Sequence, residues 1–152
     1  MKKFILCSIF SVLPLYVPKG HTQLPTDCHK TNVTLKIEER WFQDIFDQKK
    51  TIEGREGNLK RGKFKCLRYG DTITFKSPTR KLVATVLSVH QYSTIEAYLI
   101  QEGLRKTLPG ITSLNNASAI YHKFYSDASV LKAGGMLAIE IKAHKESIKM
   151  TI

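Results

Sequence analysis

Between Lys49 and Gly57 the chain reads K-K-T-I-E-G-R-E-G, a run dense in groups that do chemistry. Lys50 can pair with an anion or move a proton. Glu53 can accept from an exocyclic amine, as carboxylates do when they read cytosine. Arg55 offers a planar fork matched to a phosphate or a base edge. Gly54, set inside a strand-like pattern, implies either a bulge or another group lying close against the backbone. Strand alternation puts Thr51, Glu53 and Arg55 on one face and Lys50, Ile52 and Gly54 on the other. Lys50 therefore joins Glu53 only if the chain bends or bulges at Thr51. The plainer alternative is an exposed strand on which Glu53 and Arg55 pair with their neighbours.

Three further groups bear on this run. Glu102 follows Tyr98 by four residues and Leu99 by three, so it extends the apolar face of a helix. A carboxylate aimed inward needs a cation or a donor, and Lys50 or Arg55 can supply one. Such a pair is either an acid/base couple at a cleft or a structural ion pair. Tyr121 and Tyr125 stand four apart on another helix, with Tyr121 and Phe124 expected in the core and Tyr125 at a rim where a base can stack. Lys60, Arg61, Lys63 and Lys65 form a basic loop that is either a phosphate track or simply solvated. The histidines follow no ligand spacing and there is no C-x-x-C, so no metal or cofactor is expected. No G-x-S-x-G elbow is present either.

The elements that must position these groups alternate between two periods. Val33, Leu35 and Ile37 mark a strand, and Trp41, Phe42, Ile45 and Phe46 mark one face of a helix. Thr51–Arg55 returns to strand, and the glycine-punctuated stretch up to Cys66 reads as loop. Tyr69-Gly70-Asp71 is a turn before two β-rich runs, Thr72–Phe75 and Leu82–Val89, with Pro78 between them in a hairpin-like connection. A second helix carries Ile95, Tyr98 and Leu99 and ends near Gly103. A third carries Leu114, Ala117, Ile120, Tyr121 and Phe124. Met136–Ile141 is the last strand. About five strands with three short inserted helices predict an α+β fold built on a small barrel rather than a parallel α/β sheet.

A length of 152 residues fits one domain, and 42% hydrophobic residues suffice for one core. Lysine and arginine number 24 against 13 acidic residues, a net charge of +11 that favours a polyanionic partner. The first twenty residues, two lysines followed by an apolar run, have the layout of a signal peptide, too short and too proline-interrupted for a membrane span. Cys28 and Cys66 can form a disulfide if the chain enters an oxidising compartment. Asn32-Val33-Thr34 and Asn116-Ala117-Ser118 fit the glycosylation pattern. The domain expected spans residues 33–145, preceded by a signal-like segment and linker (1–32) and followed by a tail (146–152).

Five segments in register resemble the ASCH domain, a branch of the PUA-like β-barrels: Trp41–Arg55, Gly70–Phe75, Tyr92 with Glu102-Gly103-Leu104 and Leu108-Pro109-Gly110, Ile120–Ser126, and Leu137–Ile141. The resemblance implies a barrel with a cleft beside the K-T-I-E-G-R strand that binds RNA or a nucleotide-like ligand, and an intracellular location; a monomer is expected. Some members resemble ribonucleases, and one bacterial subgroup hydrolyses acetylated cytidine through a lysine, a threonine three residues on and a helical glutamate. Lys50 and Glu102 match the first and last, whereas Glu53 stands where the threonine would be. That departure favours a binding module, with Lys50, Glu53, Gly54, Arg55 and Tyr125 on the ligand. A small hydrolase using Lys50, Glu53 and Glu102, and a secreted basic polyanion-binding protein, are the alternatives.

Overall fold

The computed structural model describes Cys28 and residues 31–150. The signal-like segment and most of the linker lie outside the described residues. The order along the chain is β1 (Asn32–Lys36), α1 (Glu39–Phe46), β2 (Ile52–Glu56), a short 3-10 turn (Gly62–Phe64), β3 (Thr72–Lys76), β4 (Arg80–Tyr92), α2 (Ile95–Glu102), α3 (Leu104–Thr107), α4 (Leu114–His122), α5 (Asp127–Ala133) and β5 (Met136–Met150). The fold is α+β: a five-stranded, barrel-like sheet with helical insertions.

The sheet order is β1-β3-β4-β5-β2, with β1 parallel to β3 and every other pair antiparallel. Strands β4 and β5 are long and carry two register irregularities, which let the ribbon bend and serve both halves of the sheet. The two ends of the order, β1 and β2, are joined by side chains. Arg55 on β2 donates to the Lys36 carbonyl (2.9 Å), and Lys63 from the following loop donates to the Thr34 carbonyl (2.6 Å). Cations thus occupy carbonyls that a further strand would otherwise have met.

Two apolar clusters flank the sheet. One fills the barrel with the inward residues of β1, β3, β4 and β5, including Leu35, Phe75, Leu82 and Ile139, plus Phe42 and Ile45 of α1. The other lies between the sheet and the helices and holds Trp41, Ile52, Tyr98, Leu99, Tyr121 and Met136. Strand β2 is therefore covered on both faces, which its mixed sequence of charge, glycine and isoleucine does not announce.

Helix ends follow local rules. Thr94, Ser113 and Ser126 cap α2, α4 and α5 by accepting from the backbone N–H three residues on. Gly103, at φ 81°, ends α2 where the sequence places the end of the second helix, and the short helix α3 follows it unannounced. With α5, this raises the helix number above the three expected. Residues 146–150, assigned to a tail, belong to β5 instead. Their lysines and lone isoleucine lack the apolar alternation that marks Met136–Ile141. Cys28 and Cys66 form a disulfide (Cα–Cα 5.7 Å) that ties the segment ahead of β1 to the loop after β2. Among the described residues no helix is long and apolar enough to cross a membrane.

Candidate functional site

A pocket of about 630 Å³ opens beside the β1–β2 seam. Its floor is Lys50, Glu53, Gly54 and Arg55, and Trp41 of α1 forms one wall. Tyr121, Phe124 and Tyr125, at and just after the end of α4, form the opposite wall. Lys36 and Lys76 stand at its mouth with the β3–β4 turn residues Ser77 and Pro78. Apolar walls with a few convergent polar groups are the usual build of a small-molecule site.

The floor charges form one network. Lys50 is only 3% exposed and Glu53 4%. Lys50 Nζ lies 3.3 Å from Glu53 Oε2, donates to the Ile52 carbonyl at 2.9 Å, and donates to the Thr107 carbonyl. All three ammonium protons therefore have acceptors, two of them main-chain oxygens that can only accept. Burial pushes the Lys50 ammonium below the ordinary lysine range, with Glu53 opposing the shift. Glu53 Oε1 takes both Nε and Nη2 of Arg55 at 2.7 Å. Burial works most strongly against the Arg55 charge, yet Glu53 and Tyr125 together outweigh it and raise its pKa.

The bend that sequence alternation demanded exists because the strand begins only at Ile52. The chain leaves α1 with the Lys49 and Lys50 N–H groups both donating to the Asp44 carbonyl, while the Thr51 N–H donates to the Lys106 carbonyl. Lys50 thus precedes the strand and is free of its parity. At Gly54 the register with β5 is unbroken, so the glycine marks no bulge. It marks a close approach. A Cβ there would fall 2.5 Å from the hydroxyls of both Tyr98 and Tyr121, which bond each other at 2.8 Å. Burial raises the pKa of both phenols, so both stay protonated at neutral pH. Gly54→Ala is expected to push the two rings apart, cost about 1–3 kcal/mol, and distort the pocket wall. Chemical denaturation together with loss of the tightly packed Tyr98–Tyr121 contact in NMR spectra checks this, and an unshifted melt would contradict it.

Several expected groups lie elsewhere. Glu102 is not part of the pocket: its Oε1 accepts from the Tyr92 hydroxyl at 2.6 Å and contacts His90 Nδ1 at 2.9 Å. The Tyr92 pKa is pushed up to about 12, chiefly by that bond. No ion pair links Glu102 to Lys50 or Arg55, so the expected acid/base couple is not assembled. Phe124, expected in the core, is 59% exposed at the pocket rim. Tyr121 is buried and Tyr125 half-buried, as expected of a core ring and a rim ring. Within the basic loop, Lys63 is held on Thr34 and Arg61 donates to the Lys132 carbonyl at 2.7 Å, so both cations serve the fold. Lys60 and Lys65 share that exposed loop. Sequence reasoning missed Trp41, Lys36 and Lys76 as pocket residues. Trp41 stood on an apolar helical face that reads as core, and the two lysines stood at strand ends. Among the described residues no group of three or more His, Cys, Asp or Glu is placed to hold a metal ion.

Barrel-like sheet, helical cover and a pocket floored by a Lys–Glu–Arg network place the chain in the class of small α+β, barrel-like folds. No protein-family model matches the chain, and no curated protein matches it. Solved structures do. The crystal structure of the hypothetical protein PH0355 is 30% identical with a TM-score of 0.67, covering 75% of this chain and 100% of that one. The solution structure of protein PF0455 from Pyrococcus furiosus is 31% identical with a TM-score of 0.58, covering 74% of this chain and 97% of that one. The chain belongs to the family of these two proteins.

Proposed function

We propose that this is an ASCH-type, PUA-like protein that binds RNA or a modified nucleotide, holding one base in the pocket beside β2. The observation that carries this reading is the buried Lys50–Glu53–Arg55 network open to an aromatic-walled pocket. Burying Lys50 and Glu53 with Arg55 half-buried beside them is costly, and apolar residues of similar volume would serve folding as well. Glu53 retains lone pairs for an amine or ring N–H, and Arg55 lies beside it to meet a carbonyl oxygen. That pairing of acceptor and donor suits a base with an amino group. Tyr125 and Phe124 supply flat faces for stacking.

A hydrolase remains the second reading, favoured by the lowered pKa of Lys50 alone. Against it stand the full set of acceptors around Nζ and the placement of Glu102. Trp41 is the single tryptophan and lines the pocket, so its fluorescence reports occupancy. Titration with cytidine, acetylated cytidine, guanosine and uridine is expected to change the Trp41 signal saturably for amino-bearing bases. Arg55→Ala is expected to weaken that binding by about 1–3 kcal/mol, the scale of one charge-assisted contact. No saturable change with any of them would overturn the reading. Turnover of acetylated cytidine or of a short RNA that falls about 100-fold in Lys50→Met would establish the hydrolase instead.

A further inference from the structure

Four lysines far apart in the sequence form a single row across the sheet. Lys36 on β1 is in register with Lys76 on β3, Lys76 with Lys81 on β4, and Lys81 with Lys149 on β5. Lys36, Lys76 and Lys81 belong to the outward face, alternating with buried residues such as Leu35, Phe75 and Leu82, and Lys149 lies opposite Lys81 in the exposed end of β5. Within the described residues none of their ammonium groups makes an ion pair or hydrogen bond. Like charges placed directly opposite one another destabilise a sheet, and here three such pairs follow in succession. Lysine on an edge strand guards against aggregation, but β3 and β4 are interior strands where that role does not arise.

The rest of this face matches the row. The next register line holds Thr34, Thr74, Val83 and His144, and the line beyond it ends in Thr85 and Lys142. No acidic residue stands on these three lines. Glu146 lies in the irregular part of β5 between His144 and Lys149, off the paired lines, and reaches His144 at 3.3 Å. Hydroxyls and ammonium groups without carboxylates are the donors that phosphodiesters take. With strands about 4.8 Å apart, the row runs for about 14 Å. Its first two members, Lys36 and Lys76, are also the lysines at the pocket mouth.

We propose that the outward Lys36–Lys76–Lys81–Lys149 row is the track of a single-stranded RNA backbone leaving the pocket, so that the partner is a polynucleotide rather than a free nucleoside. This rests on the pocket holding a base. A base drawn into the pocket must come from an unpaired stretch, and its own phosphates emerge beside Lys36 and Lys76. The next phosphates then meet Lys81 and Lys149. An anionic membrane is less suited, because the row and its two neighbouring lines offer no large apolar group to insert.

The test uses fluorescence anisotropy of the full chain with a labelled single-stranded 12-mer RNA of mixed sequence, over a series of salt concentrations. Lys81→Ala/Lys149→Ala removes the two lysines outside the pocket, and Lys106→Ala/Lys132→Ala removes the same charge at exposed positions elsewhere. The row variant is expected to lower the slope of log affinity against log salt by about 1.4 and to bind five- to tenfold more weakly, taking about 0.7 per phosphate contact. Its melting temperature and its Trp41 response to cytidine should be unchanged. Equal effects of the two double variants, or no effect of either, overturn the track. Binding to phosphatidylserine vesicles that exceeds RNA binding and is lost in the row variant overturns it in favour of a membrane. A row-dependent RNA slope with no nucleoside response in any form keeps the track and removes the pocket reading.

Discussion

Glu53→Ala is expected to lower stability by about 3–5 kcal/mol, the cost of leaving buried cations without their counter-charge. Lys50 and Arg55 both lean on this one carboxylate, and Lys50 has no water to turn to. Lys50→Met should be milder. Glu53 would keep its two bonds to Arg55, and the loss would fall mainly on the Ile52 and Thr107 carbonyls, at about 1–3 kcal/mol. Urea denaturation of both variants ranks them directly. A Lys50→Met variant as damaged as Glu53→Ala would mean that the lysine, not the glutamate, organises the pocket floor.

Reduction of the Cys28–Cys66 disulfide is the second large effect. Its separation of 38 residues predicts a loss of about 4 kcal/mol from the loop-closure entropy returned to the unfolded chain. The bridge encloses β1, α1, β2 and the loop bearing Lys63, so it ties together both sides of the seam. Cys28→Ser and wild-type protein in reductant should melt alike, and both well below the oxidised form. Coincident melts of oxidised and reduced protein would show that the bridge constrains nothing in the unfolded state. Mass mapping under non-reducing conditions establishes the oxidation state in the same sample.

Much of this architecture was legible in the sequence, and the reasons for the remainder are local. Val33/Leu35, Ile73/Phe75 and Leu82/Ala84/Val86 alternate cleanly because one side of each strand faces the barrel core and the other faces solvent. Strand β2 lacks that signature because it is covered on both faces, and its buried positions include Glu53 and Gly54. Gly54 was readable as a close approach, but only the packing of α2 and α4 identifies the two tyrosine hydroxyls as what approaches. Glu102 misled because helical spacing gives a direction and not a partner. Tyr92, ten residues earlier on β4, claims it. Phe124 fits the helical repeat of α4 but lies two residues past its end, where the repeat no longer dictates its direction. The lysine row has no sequence signature at all, since register alone brings positions 36, 76, 81 and 149 together.

The strand order also fixes when the pocket can exist. Strand β2 has one strand neighbour, β5, and Ile52 pairs with Glu140 near the far end of the chain. On a ribosome the Lys49–Gly57 run emerges long before its partner is synthesised. Until then Lys50, Glu53 and Arg55 stay hydrated, because nothing yet covers either side of them. Non-local pairing of this kind slows folding, since the intervening loop must close before any contact repays it. β1, by contrast, pairs with β3, and β3 with β4, all before the chain passes Tyr92. The core of the barrel is thus drafted early, and the charged floor of the pocket is sealed only as its last strand arrives.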